Sequence, residues 1–365
     1  MSLRRTGRTE RRNENCDGRR RVLYDAFDVC AEGKGVSRAL VAIHSALRDR
    51  NPPLEIIVAT TLEGSTVLGV DSSALDVVIV PPVPGHRWEQ WELPRLARRL
   101  ACDVVYTQRE CPPLWGPAIA VHLHEVPDVR WRYEQARTAR ELGRRAYERL
   151  LFARAIRHAQ AVLVSSEATR NELVRWARVD VKVVPLGVDN QRFGDRGELR
   201  TQLLHIGSDD PRDLTDVVVS AYERCCRNRR MPPIVVCGDV SQKRPVDNVR
   251  WVGRVSDDDL VSLLNTALLC IQPSLHEGFG LQNLEAMSCG APLIAYDAPA
   301  VREVVGDGAR LLPEASAKHL ANAILDLLDD EPARAAISAS GRRRADNYAW
   351  ANTARAIAET LTPRM

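Results

Sequence analysis

The chain has almost no lysine. Of its 51 basic residues only Lys34, Lys182, Lys243 and Lys318 are lysines, so arginine carries nearly all the positive charge. Against 48 acidic residues this leaves a formal net charge of +3, too small by itself to be the footprint of a nucleic-acid partner. Long apolar runs are also missing. None approaches the ~18 residues of a membrane-crossing helix, and no apolar core follows the basic N-terminus, so no secretory signal is expected. The nine cysteines are scattered, without a Cys-x-x-Cys pair. That pattern argues against a disulfide framework and for reduced thiols in a cytoplasmic protein. The one adjacent pair, Cys225-Cys226, falls on an expected helix.

What is present fits two domains. A chain of 365 residues can build two cores, and 45% hydrophobic with 27% charged residues is ordinary for an enzyme. Residues 1–20 are polar and arginine-rich and are expected to form a disordered basic tail. A solvated tail fits them better than a polybasic anchor. Order is expected from the strand at 21–27, followed by a loop and a helix near 37–48. Apolar strands recur near 54–60, 76–80, 103–106, 118–122, 161–164 and 181–184, with helical stretches between several of them. Such alternation predicts a parallel, doubly wound α/β sheet. The polar stretch Gly194–Arg200 reads as a linker. A second βα series starts at Gln202 and runs to about Pro313, and a helical pattern fills 315–345.

The densest signal lies at 272–313: Gln272-Pro-Ser-Leu-His-Glu277-Gly278-Phe279-Gly280-Leu281-Gln-Asn-Leu-Glu285-Ala-Met-Ser-Cys-Gly290-Ala-Pro, and then Glu303-Val-Val-Gly-Asp. A glycine turn opening a helix exposes backbone N–H groups where the helix dipole is positive, which suits a diphosphate. A carboxylate further along can accept hydrogen bonds from ribose hydroxyls. The segment resembles the donor-binding signature of the retaining glycosyltransferases of family 4, which have the GT-B fold of two Rossmann-like domains facing a cleft. The resemblance covers most of the chain. It implies an N-terminal acceptor-side domain over 21–187, a linker at 188–200, a nucleotide-sugar-binding domain over 201–346, and a last helix at 347–365 crossing back to the first domain. It also implies transfer of a sugar from a nucleotide diphosphate sugar to an acceptor hydroxyl, with retention and without a metal or other cofactor. The acceptor would be a saccharide, a lipid or a small metabolite.

Residue by residue, the resemblance sets Glu277 nearest the hexose, the Gly280 and Leu281 amides nearest the diphosphate, Gly278 and Phe279 among the donor-binding residues, and Glu285 on the ribose. The segment Trp251-Val-Gly-Arg254-Val255 matches the one whose backbone reads the base. Glu32-Gly33-Lys34-Gly35, after the first strand, matches a glycine-rich loop whose amides approach the donor phosphates; only glycine allows so close an approach. In His122-Leu-His124, His124 matches a histidine placed near the transferred sugar, and His122 is expected to face the sheet. A zinc site from His-x-His lacks further ligands. One departure stands out. Where the family carries a basic pair, the chain reads Pro211-Arg212-Asp213, so Arg212 is kept and an aspartate replaces lysine. Arg254 or Lys243 would then compensate, or the chain is a catalytically silent member that binds a sugar nucleotide or serves as a partner subunit. Ser256-Asp257-Asp258-Asp259 invites a metal reading, but helix capping explains it better. The arginine-rich helical region 130–158 fits a solvated face over a packed stripe, with contact at the inner membrane face as the alternative.

Overall fold

The structure is a computed structural model that describes residues 19–31, 35–126, 138–227, 229–241 and 244–362. The basic tail to residue 18, Gly33, Lys34, Lys243 and the segment 127–137 lie outside the described residues. No described helix is long and apolar enough to cross a membrane.

Two compact units divide the chain. The first takes in the residues up to Val164, Glu172–Val184 and the stretch from Ala354 onward; the second takes in Ser165–Asn171 and Pro185–Thr353.

In the first unit β1 (Arg20–Asp25) leads to α1 (Gly35–Arg50), β2 (Leu54–Thr60), α2 (Leu62–Leu68) and β3 (Val77–Ile79). A π-turn at Trp88–Glu92 runs into α3 (Leu93–Arg99), followed by β4 (Val104–Thr107), β5 (Ala118–Leu123), α4 (Ala139–His158), β6 (Ala161–Val164), α5 (Glu167–Trp176) and β7 (Val181–Val183). The strands pair in parallel in the order β3-β2-β1-β4-β5-β6-β7. Their centre is buried on both faces, as near-continuous apolar runs such as Val22-Leu23-Tyr24 require.

The second unit repeats the plan. Its strands are β8 (Gln202–Ile206), β9 (Ile234–Cys237), β10 (Val249–Gly253), β11 (Ala267–Gln272), β12 (Leu293–Tyr296) and β13 (Ala309–Leu312). The helices are α6 (Thr215–Cys226), α7 (Asp257–Asn265), α8 (Leu281–Ser288), α9 (Pro299–Val305), α10 (Ala317–Asp329), α11 (Glu331–Ala345) and α12 (Trp350–Leu361), whose last turns belong to the first unit. All neighbours in the order β10-β9-β8-β11-β12-β13 are parallel. In each sheet the strand order reverses at one point, between β1 and β4 and between β8 and β11. Open α/β sheets bind ligands beyond the strand C-termini at such a point.

The stretch expected to be a linker is packed into the second unit. Phe193 is buried. The Arg200 guanidinium donates to the carbonyls of Leu264, Ala267 and Cys289, and the Arg196 amide meets Asn265 Oδ1 at 2.6 Å. These carbonyls end α7, α8 and the turn into β11, where helix termini leave acceptors unsatisfied. Arginine in a polar run thus serves as a C-terminal cap.

Candidate functional site

In the second unit the turn after β11 takes its shape from Gly280. Its φ of 84° is left-handed, which strains any side chain, and a Cβ there would stand 2.9 Å from Asn283 Nδ2. Gly280 is the N-cap of α8 and supplies no capping side chain. The helix therefore opens with no side-chain cap over the positive end of its dipole, the arrangement that favours an anion. Glu277 is half-buried just before the turn, while Glu285 lies one helical turn inside α8 and is buried. Phe279 is buried and meets the Tyr348 ring edge-on at 5.7 Å.

Two hydroxyls that sequence reasoning missed hold this turn. Ser166 Oγ donates to the Gly278 carbonyl at 2.7 Å and Thr169 Oγ1 at 3.0 Å. Ser166 also caps α5 by accepting the Thr169 N–H at 3.0 Å. The Glu303 carboxylate accepts the N–H groups of Glu167 and Ala168 at 2.8 and 2.9 Å. Glu303 of the sequence motif thus supports α5, which in turn fixes Gly278. A Ser-x-x-Thr pattern opening a helix was visible in the sequence, but nothing there linked it to a turn more than a hundred residues away.

The loop after β8 faces the same switch point. Gly207 is pressed against its neighbours: a Cβ there would come 2.4 Å from Thr215 Oγ1. The loop then closes on itself. Ser208 donates its hydroxyl to Asp213, and Asp210 takes Arg212 through Nε at 3.1 Å and Nη2 at 2.8 Å. The Arg212 carbonyl accepts the Leu275 N–H at 2.9 Å, tying the loop to the segment before Glu277. Arg254 follows the left-handed Gly253 and pairs with Asp239 at 3.3 Å; Val255 beside it is half-buried. Both arginines expected to meet a donor are thus paired with a carboxylate of their own unit. Ser256 caps α7 by accepting the Asp259 N–H at 3.1 Å, and Asp257 and Asp258 pair with Arg192. Among the described residues no group of three or more His, Cys, Asp or Glu side chains is arranged to hold a metal.

In the first unit His124 directly follows β5. Its Nε2 donates to Gln108 Oε1 at 2.8 Å, and the ring lies 5.0 Å from that of His122. Burial pushes its pKa down to about 4, so the imidazole is neutral near pH 7. His122 is fully buried: Nε2 faces the Val184 carbonyl at 3.2 Å and Nδ1 accepts the Tyr106 hydroxyl at 2.9 Å, fixing the tautomer. At the β1–β4 switch point Asp25 accepts Trp88 Nε1 at 2.9 Å and Thr107 Oγ1 at 2.8 Å. Half-buried Arg109 pairs there with Glu89 at 2.9 Å and also with Asp28. Gly35 opens α1.

Two Rossmann-like parallel-sheet units in series, the second with a glycine turn between two glutamates at its switch point, define a protein of the GT-B fold. The family models agree. "Glycosyltransferase Family 4" matches residues 33–192 and "Glycosyl transferases group 1" matches 191–344. The chain belongs to the glycosyltransferase family described by these two adjoining models. It is 32% identical over 220 residues to the MMP alpha-(1->4)-mannosyltransferase of Mycolicibacterium hassiacum, covering 55% of this chain and 53% of the relative. It is 31% identical over 161 residues to O-antigen chain mannosyltransferase B of Escherichia coli, covering 41% and 42%. The matches span about half the length of these curated relatives. Anabaena HepE, solved in complex with UDP-glucose, superposes with a TM-score of 0.72 at 18% identity, over 93% of this chain and 99% of that one; at that identity the likeness concerns the fold.

Proposed function

We propose that this protein transfers a sugar from a nucleotide diphosphate sugar to an acceptor hydroxyl, with retention of configuration and without a metal ion. The observation that carries the reading is the uncapped glycine turn at the start of α8, set between Glu277 and Glu285 beside the β8–β11 switch point. The names of the mannosyltransferase relatives and the UDP-glucose bound to HepE support a nucleotide-sugar donor.

In this reading the N–H groups of Gly280 and Leu281 and the α8 dipole hold the diphosphate, flanked by Gly278 and Phe279. Glu285 accepts hydrogen bonds from the ribose and Glu277 from the hexose. The backbone around Arg254 and Val255 reads the base, and Gly33 and Gly35 let the first glycine-rich loop approach the phosphates. The neutral His124 bonds a hydroxyl of the transferred sugar. The acceptor oxygen bonds to the anomeric carbon on the face from which the phosphate oxygen departs, and that phosphate takes the acceptor proton. No protein base is needed. Charge growing on the leaving phosphate is met by dipoles already in place, which act strongly where water is excluded. The acceptor is a saccharide, a lipid or a small metabolite that bears a hydroxyl, and the chain acts in the cytoplasm, with contact at the inner membrane face where the acceptor is a lipid.

Incubation with a panel of donors and acceptors, with product mass detection, tests the reading. Turnover should persist in EDTA; activity lost there and restored by magnesium or manganese overturns the metal-free form. A wild type that binds nucleotide yet transfers nothing across a broad panel would instead make it a silent member of the fold. The glutamates should separate: Glu285→Ala weakens binding of the bare nucleoside diphosphate by about 1–3 kcal/mol, while Glu277→Ala lowers kcat more than that affinity. Unchanged calorimetric affinity in Glu285→Ala removes its assigned role.

A further inference from the structure

Four buried side-chain polar atoms have no hydrogen-bond partner among the described residues: Arg21 Nε, Arg109 Nε, His276 Nε2 and Asn283 Oδ1. The two arginine nitrogens lie against carboxylates, at 2.9 Å from Glu55 and 3.5 Å from Asp25. The other two bracket the Glu277–Leu281 turn. Asn283 is the more telling, because only 2% of it is exposed. It is the third residue of α8, and its Nδ2 folds back over Gly280, 2.9 Å from where a Cβ would stand. A buried carboxamide with an unsatisfied oxygen is costly. The other end of the same amide, the donor Nδ2, lies over Gly280, the residue that opens α8 where the helix dipole is positive.

We propose that Asn283 is a ligand-binding residue, its Nδ2 donating to an oxygen of a nucleoside diphosphate held at the N-terminus of α8. The inference deepens the transfer reading and rests on it. It also bears on the incomplete basic pair. Asp213 replaces the expected lysine and Arg212 is paired with Asp210, so a neutral side-chain donor from α8 takes over part of the task of holding the diphosphate.

A binding role and a packing role make opposite forecasts for Asn283→Leu, which keeps size and removes polarity. Replacing an unsatisfied buried amide by an apolar group of like shape should leave thermal stability unchanged or raised. Binding of UDP, GDP or ADP, whichever the wild type takes, should fall about tenfold, while binding of the matching nucleoside stays the same. Asn283→Asp should weaken the diphosphate further, by more at low salt than at high salt, and Asn283→Gln should not restore it, because the added methylene moves the amide. Calorimetry of wild type and the three variants with these nucleotides, alongside melting curves, is the experiment. Wild-type diphosphate affinity in a folded Asn283→Leu overturns the inference and leaves the transfer reading intact. A lower melting temperature with unchanged affinity makes Asn283 a packing residue and also overturns it. A wild type that binds no nucleoside diphosphate overturns both.

Discussion

Asp213 stands where the family resemblance expects a lysine, and its carboxylate takes the Ser208 hydroxyl within its own loop. Beside it Asp210 accepts the Arg212 N–H at 2.9 Å through a side chain that also holds the guanidinium. One loop therefore contains a cation whose charge is already met and an anion turned to a neighbouring hydroxyl. If Arg212 serves a diphosphate, Asp210 competes for it. Asp210→Asn keeps an oxygen for the Arg212 N–H and removes the competing charge. It should tighten nucleoside diphosphate binding at low salt, by the ~0.2–1 kcal/mol of a partly exposed ion pair, with the gain shrinking as salt rises. Arg212→Ala should lower transfer strongly. Titrations at two ionic strengths decide it, since unchanged affinity in both variants takes this loop away from the phosphates. Sequence could name Asp213 as a departure, but not that Asp210 and Ser208 would absorb both charges, because i−2 and i−5 partners depend on how the turn closes.

At the level of elements, the Gly278 carbonyl is held by α5 and α5 by Glu303, a chain of support joining three segments far apart in sequence. Thr169→Val keeps the shape and removes one donor, at a cost of about 1 kcal/mol in stability. Ser166→Ala also removes a helix cap and should cost about 0.5–2 kcal/mol. Both should raise KM for the donor, since Gly278 begins the turn that Gly280 completes. A donor KM equal to wild type in the double variant would show that the turn holds without them. The strands of the first unit were legible in the sequence to within a residue or two. Apolar runs near 54–60, 118–122 and 161–164 became β2, β5 and β6, because a strand buried on both faces must be apolar throughout. The glycine turn and α8 were equally plain, since glycine takes a positive φ such as that of Gly280 without the strain a side chain brings. The supports were not: hydrogen bonds between distant segments leave no periodic trace. The role of 188–200 was hidden for a related reason, since arginines that cap helix ends look like solvent-facing arginines until the ends are in place.

For the molecule as a whole, the buried histidines set how the fold answers acid. His44, His124 and His205 each have a pKa pushed down to about 4, and His122 is lowered as well, in every case chiefly by burial. In the unfolded chain these rings take up a proton near pH 6.5. Between about pH 6.5 and 4 the unfolded state therefore binds protons that the folded state refuses. Stability present above pH 6.5 is lost as pH falls through this window, with a slope of up to about 1.4 kcal/mol per pH unit for each histidine. Two carboxylates oppose the trend. Burial raises the pKa of Asp28 and Glu89, so in the upper part of their titration the folded state binds the extra proton and gains stability on acidification. Four groups against two leave a net loss. Three of the histidines lie in the first unit and His205 in the second, between the Ile271 carbonyl and Thr215, so acid should weaken both units. Urea midpoints should hold steady from pH 8 to 7 and then drop through pH 6 and 5, and four of the eight histidine ring signals should stay neutral above pH 5. Equal midpoints at pH 7 and pH 5, or titration near 6.5 of the rings of His44, His122, His124 and His205 themselves, would mean that these histidines are not held as the packing requires.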